Sequence, residues 1–240
     1  MPTVEGAGVE LAYEDEGTDP PTTLVVHGMA SGAAASVALR SRVPGRVIAH
    51  DRRGYGGSGA PEPYAATTVQ EQGEDAAALL LALEAAPARV VGFGFGALIA
   101  LDLLVRRPGL LTSAVLCDAP LLAFVPEANE ALAAERLHLE EALREGGPQA
   151  AIAYWLGPGA DPEAVARGQA SPRGFFADYA GLATWSPSRR ELRGIGVPVA
   201  FVTGPDSGPH VIQAADEAAG LVPGASRRTD GDVLAALEGH

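Results

Sequence analysis

The chemistry of this chain turns on a residue that can do none. Val90-Val91-Gly92-Phe93-Gly94-Phe95-Gly96 reads as a strand, a sharp turn and a helix start, the pattern that lifts the central residue of Gly-x-Ser-x-Gly to the apex of the turn; here that residue is Gly94. Glycine has no hydroxyl to activate, so covalent attack from this apex is excluded. The backbone remains. The amides of a tight turn and the positive end of the following helix can hold a carbonyl, a carboxylate or another anionic oxygen, or the turn can persist only because strand and helix need it.

Other reactive side chains are few. Asp118 and Asp206 each follow an apolar run and would sit at strand ends, where a carboxylate can act as a base or simply cap a turn and bind Arg. Of the five histidines, His27 lies at a His-Gly turn, His50 falls inside an apolar run that favours packing, and His138 lies on a polar helix pattern. His210 opens a helix four residues after Asp206, close enough to the same rim to replace a base or merely to be solvated, and His240 is terminal. Cys117 precedes Asp118; because side chains alternate along a strand, it packs against a helix if Asp118 faces a cleft. Ser31 and Tyr55 are polar groups on turns, with no pairing that would make Ser31 nucleophilic. All 17 basic residues are Arg, which removes Schiff-base chemistry on a protein lysine. No His, Cys and carboxylate spacing suggests a metal, and Gly92-x-Gly94-x-Gly96 lacks the further spacing of a dinucleotide loop, so no cofactor is expected.

Positioning these groups requires a sheet. Thr23 to His27, Arg46 to Asp51, Arg89 to Phe93, Thr112 to Asp118, Val199 to Thr203 and Ala225 to Arg228 read as strands, and Val69 to Leu83, Phe95 to Arg106 and His210 to Leu221 as helices between them. That alternation predicts an α/β fold with a mostly parallel sheet, and Val9 to Glu14 adds an antiparallel strand near the edge. From Leu122 to Arg190 the strand rhythm stops, and the segment turns helical with breaks at Gly157-Pro158-Gly159, Pro172 and Pro187. Tyr154, Trp155, Phe175, Phe176, Tyr179 and Trp185 concentrate there, either lining a pocket or holding the segment to the sheet. The expected organisation is a core of residues 1–121 and 191–240 with a helical cap insertion at 122–190, placed over the carboxyl ends of the strands.

Composition narrows the partners. The chain has 240 residues, 47% of them hydrophobic, enough for one large core. A formal charge of −13 disfavours nucleic acid and anionic membrane surfaces. One cysteine, no run of ~18 apolar residues and no basic leader pattern in the first ten residues suggest a soluble cytoplasmic protein, of unspecified oligomeric state.

Taken together, several segments resemble the α/β-hydrolase superfamily over nearly the whole chain. Leu24-Val25-Val26-His27-Gly28-Met29 is similar to the strand and His-Gly turn that supplies one oxyanion-hole amide. Asp51-Arg52-Arg53-Gly54-Tyr55-Gly56-Gly57-Ser58-Gly59 is similar to the Asp-x-Arg-Gly-x-Gly-x-Ser turn, the most specific match. The elbow, Arg107-Pro108, Leu116-Cys117-Asp118, and Val197 to Asp206 follow in family order. The resemblance assigns the nucleophile position to Gly94, the acid to Asp206 with Asp118 as the alternative carboxylate, and the base to the Gly231-Asp232 region, where Thr229-Asp230-Gly231-Asp232 contains no histidine. It places the oxyanion amides at Met29 and Phe95, with His27, Gly28, Phe93 and Gly94 around them.

The expected function is therefore a divergent α/β-hydrolase-fold protein with a capped, mostly apolar pocket for a small carbonyl-containing molecule. Asp206, Asp118, His210 or water would move protons in lyase-, isomerase- or cyclase-like chemistry, with very weak hydrolysis. Two alternatives stay open: a non-enzymatic ligand-binding or interaction protein, and a hydrolase whose elbow serine has been mutated.

Overall fold

A computed structural model describes residues 1–182 and 184–239, the side chain of residue 129 excepted; the terminal His240 lies outside the described residues. Among the described residues eight strands run in chain order: β1 (Thr3–Glu5), β2 (Glu10–Glu16), β3 (Thr22–Val26), β4 (Arg46–His50), β5 (Ala88–Phe93), β6 (Leu111–Cys117), β7 (Val199–Val202) and β8 (Ser226–Arg228). They form one sheet in the order β1-β2-β4-β3-β5-β6-β7-β8. The first two strands are antiparallel to their neighbours, and β4 through β8 pair in parallel.

Helices fill the connections: α1 (Val37–Arg40, preceded by a tight helical turn at Ala33–Ser36), α2 (Val69–Ala82), α3 (Phe95–Arg106), α4 (Ala128–Leu156), α5 (Pro162–Ala170), α6 (Pro172–Gly181), α7 (Arg189–Arg193), α8 (Pro209–Ala219) and α9 (Val233–Glu238). Thr68 starts α2 with a capping box, its hydroxyl accepting from the Glu71 amide while Glu71 accepts from the Thr68 amide. The same reciprocal pair, Ser188 with Glu191, starts α7.

Alternation along the strands divides the core between two faces. Leu24, Val26, Ile48, Val90, Leu116 and Phe201 pack with α2, α3 and α8, whereas Val25, Val47, Val91, Val115, Cys117 and Val202 pack with Ala33, Ala236 and Leu237. Burial on both faces explains why the central strands read as continuous apolar runs. Each fully buried Leu or Val contributes about 1.5–3 kcal/mol, so the α3 side chains Leu98, Ile99, Leu101 and Leu103 alone anchor this helix firmly against the sheet.

Three short elements escape a periodicity reading. Thr3–Glu5 is too short to show alternation, and the helical turn and α1 occupy an Ala- and Ser-rich stretch without an apolar face. The helical segment between β6 and β7 breaks at Gly157 (φ 84°), at Pro172 and before α7, and it breaks once more inside α4, where Gly147 (φ 74°, ψ −171°) is followed by Pro148. Among the described residues, no helix is long and apolar enough to cross a membrane.

Candidate functional site

Three glycines shape the turn after β5 for different reasons. A β-carbon at Gly96 would lie 2.2 Å from the Val26 carbonyl oxygen, and one at Gly92 would lie 2.4 Å from the Gly96 carbonyl oxygen. These two positions must be bare for α3 to close on β3 and on its own entry. Gly94 differs. Its backbone is left-handed (φ 52°, ψ −116°), yet a β-carbon there would meet only the Gly28 α-carbon, at 3.9 Å. Space for a side chain exists at the apex; the cost of one is conformational.

The turn is held by the Gly94 amide donating to the Cys117 carbonyl at 2.9 Å and by the Ala97 amide donating to the Gly94 carbonyl at 3.0 Å. The His27-Gly28-Met29 turn lies beside it, half-exposed at Gly28 and Met29 as Phe93 and Gly94 are. Neither the Met29 nor the Phe95 amide has an acceptor among the described residues. For Phe95 this follows from its place in the first turn of α3, where amides have no intrahelical partner. The side chain of Phe95 is buried; its contribution at the surface is its N–H.

His27 is not free to act as a base. Its Nε2 accepts from the Arg52 amide at 3.0 Å, which places the proton on Nδ1, 2.7 Å from the Gly28 carbonyl oxygen. Burial, reinforced by the Arg52 charge, holds its pKa well below the ordinary value. It is a neutral ring that shapes the turn. Cys117 is likewise inert: burial, then the neighbouring Asp118 charge, pushes its thiol pKa up, and it packs in the core under α9.

The loops after β6, β7 and β8 come together at the same sheet end. Asp118, in a left-handed conformation (φ 48°), donates its amide to the Val202 carbonyl at 3.0 Å and accepts a hydrogen bond from the Ser207 hydroxyl, which in turn accepts from the Gly204 amide at 2.8 Å. A β-carbon on Gly231 would lie 3.5 Å from the Gly204 α-carbon, so the β7 and β8 loops touch. Asp206 is exposed and His210 half-buried, and neither side chain has a partner among the described residues. Asp232 caps α9: its Oδ1 accepts from the Ala235 amide at 3.0 Å. The structure thus joins Asp118 to the Asp206 loop and Gly28 to Gly94, but it places no imidazole against Asp118 or Asp206 among the described residues.

A buried polar network beside the turn carries more charge than any of these. Arg52, 1% exposed, donates through Nη1 to Asp178 Oδ1 (3.1 Å) and Gln72 Oε1 (2.6 Å), and through Nη2 to Asp178 Oδ2 (2.6 Å) and the Gly28 carbonyl (2.9 Å). Tyr55 Oη and Gln72 Nε2 also donate to Asp178, at 2.7 and 2.8 Å. The guanidinium carbon lies 4.8 Å from the Tyr55 ring centre and 5.2 Å from that of Phe95. Burial and the Asp178 charge raise the Tyr55 pKa well above the usual phenol value, so the hydroxyl remains a donor. In the sequence Arg52 stands only as part of a turn motif, and Asp178 and Gln72 are not among the expected site residues. The available signal was a lone carboxylate between Phe176 and Tyr179, a setting in which a charge needs a partner.

Around Asp178 the aromatics of α4 and α6 pack on each other: Trp155, Phe175, Phe176 and Tyr179 form edge-to-face and stacked pairs and cluster with Met29 and Ala30. Trp185 joins the main core instead, Tyr154 is exposed, and His138 lies against Tyr154 on the outer side of α4. Two surface clefts, one along Ala77, Leu81 and Pro108 and one along Gln70, Asp102 and Trp185, share no residue with the turn at Gly94.

Comparison with known proteins agrees with this architecture. Residues 23–237 match the model of the alpha/beta hydrolase family. A Mycobacterium tuberculosis protein provisionally named non-heme bromoperoxidase BpoC is 39% identical over 114 residues, 45% of this chain and 41% of that protein. The chain spans about two fifths of the length of the curated relatives it matches. An alpha/beta hydrolase from Sphaerobacter thermophilus superposes with a TM-score of 0.70 at 28% identity, covering 95% of this chain and 91% of that one. The enol-lactonase from Burkholderia xenovorans, at 21% identity and a TM-score of 0.72 over 99% and 94% of the two chains, shares the fold. On the family match and the sheet order together, this chain belongs to the alpha/beta hydrolase family.

Proposed function

We propose that this protein binds a small carbonyl-containing molecule at the Gly94 turn and handles it without covalent attack by the protein. The observation that carries the reading is the pairing of a bare apex at Gly94 with two uncommitted amides, Met29 and Phe95, on adjoining turns. The amides polarise or anchor an oxygen of the ligand; Asp206, Asp118 with its Ser207 partner, His210 or ordered water moves protons in lyase-, isomerase- or cyclase-like chemistry. The helical segment 122–190 acts as the cap over this end of the sheet. A net charge of −13 supports small ligands over polyanions.

Support for the loss of ordinary hydrolysis comes from the base position as much as from the nucleophile. Asp232 is occupied as a helix cap, and a carboxylate so engaged is a poor general base. The open space beside Gly94 favours a second reading, a hydrolase whose elbow serine was replaced. Turnover of p-nitrophenyl butyrate by the protein and by Gly94→Ser separates the two. Rates near the uncatalysed background in both are expected, whereas strong turnover by Gly94→Ser would establish the second reading.

A further inference from the structure

We propose that Arg52 is a positioning residue for the oxyanion site: through the Gly28 carbonyl it orients and polarises the peptide whose N–H is Met29, and it does so under the control of Asp178 on the helical segment. The proposal rests on the reading of Met29 and Phe95 as the oxygen-binding amides.

The geometry is specific. Gly28 C=O and Met29 N–H belong to one peptide unit, so what binds the oxygen fixes the direction of the hydrogen. That oxygen accepts from His27 Nδ1 at 2.7 Å and from Arg52 Nη2 at 2.9 Å, which uses both lone pairs and makes one donor a full cation. Electron density drawn toward a charged donor leaves the amide hydrogen more positive, the cooperative strengthening expected of hydrogen-bond chains in a low-dielectric interior. The Phe95 amide has no such support; it depends on the start of α3 alone.

Arg52 cannot adopt this pose by itself. Its Nη2 is shared between the Gly28 carbonyl and Asp178 Oδ2, and the plane of the guanidinium is set by the two-point grip of Asp178. Asp178 belongs to α6, 126 residues further along the chain, is wholly buried, and accepts two further hydrogen bonds, from Tyr55 and Gln72. The seating of α6 therefore determines how the Met29 N–H is held. The site gains its second donor only when the helical segment is in place.

Selective labelling isolates the relevant peptide. Met1 and Met29 are the chain's two methionines and Gly28-Met29 its one Gly-Met pair, so carbonyl-¹³C glycine with ¹⁵N methionine reports both ends of the bond, and ¹⁵N phenylalanine, with the Phe95 signal assigned by its loss in Phe95→Leu, supplies the internal control. The probe is sodium butyrate. In the unmodified protein butyrate is expected to move the Met29 and Phe95 signals together. In Arg52→Gln/Asp178→Asn, which removes both charges, the resting Gly28 carbonyl and Met29 amide signals move upfield and the Met29 response to butyrate falls several-fold, while the Phe95 response persists. Arg52→Lys retains the charge without the two-point grip and is expected to give a smaller change in the same direction, which serves if the double variant does not fold.

Resting Gly28 and Met29 signals unchanged in either folded variant would overturn the positioning role. A butyrate response lost equally at Met29 and Phe95 would do the same, because it marks general damage. Absence of any response in the unmodified protein would instead sink the oxygen-binding reading, while the resting signals still decide whether Arg52 acts on the Gly28-Met29 peptide.

Discussion

The Arg52 guanidinium and the Asp178 carboxylate meet in two parallel hydrogen bonds of 2.6 and 3.1 Å, with side chains 1% and 0% exposed. Residues so far apart in sequence are brought together only when the helical segment packs on the sheet, and both are isolated from water. Breaking such a pair by removing one partner leaves the other charge buried and uncompensated.

Asp178→Ala is accordingly expected to destabilise the fold by about 3–5 kcal/mol. Urea unfolding checks this. Replacing both residues by apolar ones of similar volume, Arg52→Met with Asp178→Leu, should cost clearly less than the single change, because no charge is left without a partner. A double variant as damaged as the single would show that lost packing, not lost charge, dominates.

The elbow glycines are predicted to differ sharply in tolerance. Gly96→Ala forces a β-carbon to 2.2 Å from a backbone oxygen that cannot yield, so it should cost more than the about 1–3 kcal/mol usual for overpacking and give little folded protein. Gly94→Ala and Gly94→Ser meet no such clash and should each cost about 1–3 kcal/mol, the price of a left-handed backbone for a residue with a β-carbon. Thermal melts of the three variants, ranked, test the distinction.

Restoring hydrolysis should require more than a serine. Gly94→Ser alone is expected to leave p-nitrophenyl butyrate turnover near background, and Gly94→Ser/Asp232→His to raise it, at a loss of about 1 kcal/mol from the uncapped start of α9. Steady-state assays with urea titrations measure both effects on the same samples. Equal activity in the two variants would mean that some other group serves as the base.

Acid should weaken the protein through two buried imidazoles. Burial, then the Arg52 charge, lowers the His50 pKa from 6.5 to about 3, and its Nδ1 has no hydrogen-bond partner among the described residues; His27 is also held well below its ordinary value. The unfolded chain binds these protons more readily than the folded one. Their stabilising contribution is complete above pH 6.5 and is lost progressively as pH falls toward 3. Urea titrations between those limits should show the decline, and His50→Leu should flatten part of it. An unchanged slope in that variant would assign the acid sensitivity elsewhere.

Much of the architecture was legible because local chemistry and global fold agree. The Asp51 to Gly59 turn, the apolar strand runs and the Gly92-to-Gly96 pattern each correspond to an element with its own steric reason, such as the close approach at Gly96 or at Gly56, where a β-carbon would fall 2.0 Å from Asp51 Oδ2. The site was legible only in part. The proposed roles of Gly94, Met29 and Phe95 fall to backbone atoms, whose place follows from the turns. Asp178 and Gln72 acquire meaning only through partners 20, 106 and 126 positions away in sequence, and no periodicity encodes such distances. Asp232 was legible as an acid in the base position, but its role as a helix cap depends on where α9 begins.

One cation also sits against both turns proposed to bind the ligand oxygen. Arg52 grips the peptide of Met29 by its oxygen and lies 5.2 Å from the centre of the Phe95 ring. The two residues therefore lean on the same cation, Met29 through its backbone and Phe95 only through its side chain. On the proposed reading, a shift in the seat of this cation is transmitted to the ligand through the Met29 peptide and leaves the Phe95 amide where α3 holds it.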